Sequence, residues 1–157
     1  MQKTDLQLGQ VISSKENKIF KSLKKSLTAS GFKKTGQILI PGKKIISEYI
    51  QNSNNQYDFI ILPDGYIEQE KAFSEKILQA HDDDKLLFLR KELFNGIDLL
   101  HTKSPLLACP LPQIDEHNSQ SEISQAIMIP FQDPNNVGAV IRSGVALGIT
   151  DFILLQE

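Results

Sequence analysis

The sequence predicts an α/β protein, and three observations lead to that prediction. Short apolar runs alternate with amphipathic helical segments along residues 10–110, as in a sheet covered by helices. A strand–turn–helix–strand pattern follows in residues 125–157. Apolar residues make up 40% and charged residues 23% of the 157 residues, the proportions of an ordinary globular protein. We therefore expect one full domain and a smaller βαβ unit after it.

In the first part of residues 10–110, the sequence predicts a helix, a strand and a second helix. Ser13 and Glu16 have the spacing of a capping box, so the first helix is expected to begin there. Gly31 is expected to end it. Residues 37–40 are predicted to form a short buried strand, and residues 43–51 a second helix. The apolar stripe of the first helix consists of Ile19, Phe20, Leu23 and Leu27.

The second part continues the alternation of strands and helices. Strands are predicted at residues 57–62, 86–88 and 106–108, and helices at residues 69–80 and 91–100. The residues of helix 69–80 that are expected to face inward are Ala72, Phe73, Ile77 and Leu78.

Cysteine content and hydropathy exclude several classes of protein. Cys109 is the only cysteine, so it forms no intramolecular disulfide and no thiolate metal cluster; its apolar neighbours predict a buried thiol. No run of about eighteen apolar residues is present and no apolar signal core follows Met1, so we expect a cytoplasmic protein without membrane contact. Residues 111–124 contain two prolines and no periodicity, which predicts a linker.

The net charge of −2 conceals two oppositely charged parts. Residues 1–44 hold ten lysines and two acidic residues, a net charge of +8, whereas residues 45–157 carry −10. Lys18, Lys21 and Lys25 share one face of the first helix by their three- and four-residue spacing. The charge pattern fits a polyanion such as RNA as a partner, and it fits a solvated helix face equally well.

The final predicted helix contains one charged residue, Arg142, between positions 134 and 150. Asp133 or a neighbouring asparagine is expected to cap this helix, and its glycines suggest close approach to neighbouring backbone. A guanidinium at Arg142, with Asn136 nearly two turns before it, could bind a phosphate or orient a ribose hydroxyl. The alternative, favoured by the residues alone, is an arginine paired with a carboxylate elsewhere in the fold. The packing face of the helix is predicted to consist of Val137, Val140, Ile141 and Val145.

Other chemistries lack their sequence patterns. The glycine spacing is not that of a dinucleotide-binding turn, and no phosphate-binding loop is present. His81, His101 and His117 are scattered rather than spaced as metal ligands, and we expect no metal site.

Residues 131–148 strongly resemble the first motif of the SpoU/TrmH family of RNA ribose 2'-O-methyltransferases, which have the SPOUT trefoil-knot fold. Residues 36–46 are similar to the strand, glycine and helix of the same family, with Pro41 in place of its usual glutamate. Two sets of residues match in register: Ile12, Ser14, Asn17, Phe20 and Lys21 in the opening pattern, and Asp133, Pro134, Asn136, Gly138 and Arg142 in the motif.

The resemblance implies a three-layer α/β/α domain, similar to certain ribosomal proteins, over residues 10–110. This domain would bind transfer or ribosomal RNA through the first helix. A linker at residues 111–124 and the first βαβ unit of the SPOUT domain at residues 125–157 would follow. The residues that would contact RNA are Asn17, Lys18, Lys21 and Lys25.

For catalysis, the resemblance implies that Arg142 and Asn136 lie beside the target 2'-hydroxyl, with S-adenosylmethionine as the methyl donor and a homodimer in the full-length family. Because arginine is essentially never deprotonated, phosphate binding or stabilisation of a developing alkoxide suits Arg142 better than a role as general base. The family's later motifs, which hold the cofactor, would follow Glu157. We therefore expect these 157 residues alone to bind no cofactor and to be inactive. A stand-alone RNA-binding module and an unrelated α/β nucleotide-binding protein are the alternatives.

Overall fold

A five-stranded mixed sheet runs through the first of two units, which comprise Met1–Pro112 and Gln113–Glu157. The structure is a computed structural model that describes residues 9–28, 30–52, 56–112, 125–130 and 133–155. Strand order is β1-β4-β3-β5-β2; β1, β4 and β3 are parallel, and β5 is antiparallel to both of its neighbours. The strands are β1 (Gln10–Ile12), β2 (Gln37–Pro41), β3 (Phe59–Pro63), β4 (Leu86–Leu89) and β5 (Leu106–Pro110).

Helices cover both faces of this sheet. The helices are α1 (Lys18–Ser26), α2 (Gly31–Thr35), α3 (Lys43–Gln51), α4 (Lys71–Asp82) and α5 (Lys91–Asn95). Phe20 of α1 and Phe94 of α5 belong to the core on one face, whereas Ile46 of α3 and Phe73 of α4 belong to the core on the other. The predicted three-layer α/β/α arrangement is therefore confirmed for this unit.

Alternating side chains of the strands supply both cores. In β3, Ile61 contributes to the core beneath α1 and α5, while Ile60 and Leu62 contribute to the core beneath α3 and α4. Cys109 of β5 is fully buried beside α3 and α4, as predicted, and burial raises the pKa of its thiol. Within the described ranges, every helix is too short or too polar to span a bilayer.

Several boundaries differ from those predicted. Gly31 begins the short helix α2 instead of ending α1, which stops at Ser26. Helix α5 ends at Asn95 rather than continuing to residue 100, because Gly96 and the turn after it close the helix. Ala72 and Leu78, predicted to face inward from α4, are both exposed, Leu78 to 47%. Strand β1 was not predicted, since its three residues are too short to show a period.

The second unit is a βαβ motif, as predicted. It consists of β6 (Ala126–Pro130), α6 (Pro134–Ala146) and β7 (Asp151–Leu155), and the two strands pair in parallel. Residues 113–124, most of the predicted linker, lie outside the described residues, as do residues 131–132 of the motif.

Candidate functional site

Helix α6 of the second unit, which carries Arg142, has a defined beginning and end. The Asp133 carbonyl accepts the first helical hydrogen bond, from the amide of Val137 at 3.0 Å. At the other end, Gly148 has a φ of 86°, and the Ile149 amide donates to the Gly144 carbonyl at 2.9 Å. This 6→1 bond around a left-handed glycine is a Schellman motif, which fixes where α6 stops and β7 starts.

The face of α6 that packs on the sheet is centred on a glycine. Val137 and Gly144 are buried, and a β-carbon at Gly144 would meet the Phe152 ring at 2.6 Å and Ile127 at 3.0 Å. Val140 and Val145, predicted to belong to this face, are instead 38% and 59% exposed. The face that lies against the strands is therefore narrower than the apolar pattern of the helix.

Arg142 is exposed on the surface of α6. Its Nη1 atom lies 3.4 Å from the point where a β-carbon of Gly138 would be, so the side chain turns back one helical turn. Among the described residues, no carboxylate forms an ion pair with Arg142. The alternative that Arg142 pairs with a carboxylate elsewhere in the fold is therefore not found in the described part of the chain. Its guanidinium is accessible to a ligand.

Asn136 is also exposed, but it occupies a different stripe of the helix from Arg142. Six residues of α-helix correspond to about 9 Å along the axis and about 120° around it. Gly138, four residues before Arg142, is the described motif residue directly beneath the guanidinium. A ligand that contacts both Asn136 and Arg142 would therefore lie across the axis of α6.

In the first unit, the predicted RNA-binding residues occupy the beginning and exposed face of α1. Asn17 is the N-cap of the helix, and its Oδ1 accepts from the amides of Ile19 at 2.8 Å and Phe20 at 3.3 Å. The predicted capping box at Ser13 is therefore wrong, because Asn17 caps the helix four residues later. Asn17 thus has a structural role whether or not it contacts RNA.

The α1 lysines differ in what surrounds them. Lys18, Lys21 and Lys25 are exposed, and in the described part of the chain Lys18 and Lys25 make no ion pair. Lys21 forms an ion pair with Glu16, whose pKa is lowered by the hydrogen bond and by the charge of Lys21. Both partners are largely exposed, so water and salt screen this pair strongly.

Two further cations lie near the same edge of the sheet. The Arg90 amide donates to the Ile12 carbonyl at 3.1 Å, which brings the segment after β4 beside the segment after β1. Arg90 and Lys91 are both exposed. These two residues were not predicted from the sequence, although they directly follow a strand, and ligands commonly bind at the carboxyl edge of α/β sheets.

The Glu68 side chain is 6% exposed, and its carboxylate accepts hydrogen bonds from α3 and from its own segment. Its Oε1 accepts from Lys43 at 3.1 Å and from the amides of Gln69 and Glu70, while its Oε2 accepts from the Tyr66 hydroxyl at 2.5 Å. Burial alone would raise the pKa of Glu68, but the hydrogen bonds outweigh burial and lower it to about 2. Burial is also the main cause of the raised pKa of Tyr66. We assign this cluster to anchoring the start of α4.

The fold identifies the class of protein to which this chain is similar. No family model matches the sequence. The fold of the chain is that of SpoU-type RNA methyltransferases of known structure, so the resemblance of the sequence to the SpoU/TrmH family is confirmed at the level of the fold.

The chain covers about half of each solved structure to which we compare it. An RNA 2'-O ribose methyltransferase superposes with a TM-score of 0.65 at 17% identity, over 94% of this chain and 56% of the other. The SpoU methyltransferase AviRb from Streptomyces viridochromogenes, solved with AdoMet, gives a TM-score of 0.62 at 18% identity, over 87% and 50%.

A curated relative matches at the level of sequence. Ribosomal RNA small subunit methyltransferase G 2 of Syntrophobacter fumaroxidans is 30% identical over 148 residues, which is 93% of this chain and 28% of the relative. Because the chain spans less than a third of that relative, the relative's name does not assign a reaction to the matching segment.

Proposed function

We propose that this chain is the RNA-binding unit and the first catalytic segment of a SpoU/TrmH-type RNA ribose 2'-O-methyltransferase. The observation that carries the proposal is the accessible guanidinium of Arg142 over Gly138, on the helix whose sequence matches the family motif. Both solved relatives are described as methyltransferases, and one of them as acting on the RNA 2'-O ribose position.

In the proposed reaction, S-adenosylmethionine would supply the methyl group: its carbon–sulfur bond would break as the bond to the ribose oxygen forms, S-adenosylhomocysteine would leave, and the hydroxyl proton would pass to solvent. Arg142 would hold a neighbouring phosphate or stabilise the negative charge that develops on the attacking oxygen. Asn136 would contact the nucleotide from the adjacent stripe of α6. We assign no residue of this chain to the cofactor.

RNA would be held by the cations at the carboxyl edge of the first unit's parallel strands. Lys18 and Lys25 are free of ion pairs among the described residues, and Arg90 and Lys91 extend the positive surface across the sheet edge. Asn17 and Lys21 complete the set predicted from the sequence. Phosphate contacts of this kind supply affinity and a strong dependence on salt, without reading the base sequence.

The test is ribose-methylation mapping of cellular RNA after deletion of the gene, followed by complementation. We expect one methylated ribose to disappear, to return with the wild-type gene and not to return with Arg142→Ala. Arg142→Lys should restore it poorly, because an ammonium lacks the planar fork of the guanidinium. Lys76→Ala, in α4 of the first unit, is the control and should restore it fully.

An unchanged ribose-methylation map after deletion would contradict the enzymatic proposal. If the purified chain still bound RNA in that case, the binding-module alternative would replace it.

A further inference from the structure

A small apolar cleft in the first unit has no role in the function proposed above. It has a volume of about 230 Å³ and lies between the end of α1, strand β2 and the segment after α5. This volume is below the roughly 300–1,000 Å³ of pockets that enclose drug-sized ligands, so a single ring system is a better match. Its lining includes Leu27, Leu39, Ile97, Leu99, Leu100 and Leu106.

The outer wall of the cleft is a pair of adjacent leucines in solvent. Leu99 is 66% exposed and Leu100 is 67% exposed, whereas Ile97 and Leu106 at the base of the cleft are 1% and 2% exposed. Isolated surface leucines are ordinary, but two neighbouring ones beside an open apolar cleft are typical of a binding surface.

The loop that carries these leucines is held in place by a buried carboxylate. Asp98 is 2% exposed, and its Oδ2 accepts from the amide of Lys103 at 2.8 Å. His101 and Lys103 have φ values of 51° and 53°, a left-handed conformation that is rare for such residues and persists only when the surroundings enforce it. The leucines are therefore displayed by a fixed loop.

The charge around the cleft points to a polyanion. Lys24 and Lys25 occupy the last turn of α1, three and two residues before Leu27 in the cleft wall, and Lys103 is exposed in the loop itself. Asp98 is the one carboxylate among the lining residues, and it is hydrogen-bonded within the loop. An apolar slot beside cations matches an unpaired nucleobase with its phosphate, because unstacked bases of RNA bind to apolar or aromatic surfaces.

We propose that this cleft binds one unpaired nucleobase of the RNA held by the α1 lysines. This inference rests on the proposed RNA binding and adds to it a preference for single-stranded over paired RNA. Leu99 and Leu100 cover one face of the base, and the lysines at the end of α1 contact the adjoining phosphate.

The experiment compares two RNA probes, a hairpin with an unpaired loop and a blunt duplex of equal length. We expect the wild-type chain to bind the hairpin about tenfold more tightly, since only unpaired bases can enter an apolar cleft. The double variant Leu99→Ser, Leu100→Ser should lose this preference but keep its duplex affinity and its salt dependence, because no cation is removed. Leu78→Ser, at a comparably exposed leucine of α4 on the opposite face, is the matched control.

A double variant with unchanged hairpin affinity would overturn the inference while leaving RNA binding intact. Failure of the wild type to bind either RNA would overturn RNA binding itself, so the two failures are distinguishable. NMR titration of the wild type provides a second measurement that needs no variant, and hairpin-induced shifts absent from the amides of residues 99–103 would also count against the cleft. A wild-type dimer that the double variant dissociates, without loss of hairpin affinity, would reassign the leucines to contact with a second copy.

Discussion

Gly144 lies directly against the ring of Phe152 in the second unit. A β-carbon at position 144 would come within 2.6 Å of Cε1 and 2.8 Å of Cζ, distances that two carbon atoms do not tolerate. Gly144 is followed by Gly148, whose left-handed conformation ends the helix and sends the chain into β7. Together these glycines determine how closely α6 approaches the strands, and hence where Arg142 is displayed.

Gly144→Ala should destabilise the second unit by roughly 1–3 kcal/mol, because the new methyl group forces apart the helix and the Phe152 ring. Hydrogen exchange of the α6 and β6 amides measures this effect in the full chain. Gly138→Ala is the matched control in the same helix, because its β-carbon would lie 3.4 Å from the Nη1 atom at the end of the flexible Arg142 side chain, which is a mild contact. Because alanine is a better helix former than glycine, Gly138→Ala should leave the free energy of opening unchanged or raise it by up to about 1 kcal/mol. Equal exchange in both variants would contradict the close contact at Gly144.

The order and type of most elements could be predicted from the sequence, because apolar periodicity and turn residues agree locally. The exact helix bounds predicted for α3 and the strand–helix–strand order of the second unit illustrate this agreement. Predictions failed where two local signals compete. Ser13 and Asn17 are both good caps; the helix begins at Lys18, after the Asn17 cap, and its Phe20 and Leu23 pack in the core.

The site was less predictable than the fold. Apolar periodicity assigned Val140 and Val145 to the packing face of α6, whereas the contact is made through Gly144, which hydrophobicity does not reveal. The accessibility of Arg142 depends on which carboxylates the fold brings near it, and this is a property of tertiary structure. Arg90 was missed because its proximity to the end of β1 follows from the pairing of β1 with β4.

Asn17 should be separable into a structural and an RNA-binding role. Asn17→Ala removes the acceptor for the amides of Ile19 and Phe20, so it should cost about 1 kcal/mol and lower the Tm by about 4–8 °C. Asn17→Ser keeps an acceptor and should remain within a few tenths of a kcal/mol of wild type. If Asn17 contacts RNA, both variants should bind RNA more weakly than wild type. If its role is purely structural, only Asn17→Ala should lower the RNA affinity. Thermal unfolding and RNA titration together decide between these outcomes.

If RNA binds to the α1 lysines as proposed, Glu16 should compete with RNA for Lys21. Glu16→Gln removes the ion-pair partner of Lys21 and one negative charge beside the α1 lysines, so RNA affinity should rise roughly two- to fivefold at low salt. The gain should vanish near 1 M salt, where charges are screened within about 3 Å. Glu75→Gln, an exposed position on α4, removes the same charge from the other side of the sheet and serves as the control. An equal gain from both variants would show that overall charge matters rather than Lys21.

Glu68 should make the first unit sensitive to acid. Its pKa is lowered from 4.5 to about 2 in the folded protein, so its stabilising effect is complete above about pH 4.5 and is lost as the pH falls towards 2. In urea unfolding at pH 6, Glu68→Gln should be less stable than wild type by roughly 1–3 kcal/mol. The glutamine amide forms no ion pair with Lys43, and its NH2 group cannot accept a hydrogen bond as the carboxylate oxygen does. The difference should narrow steadily between pH 4.5 and pH 2, as protonation removes the same charge from wild type. A difference that stays constant over this range would mean that the lost hydrogen bonds matter and the charge does not.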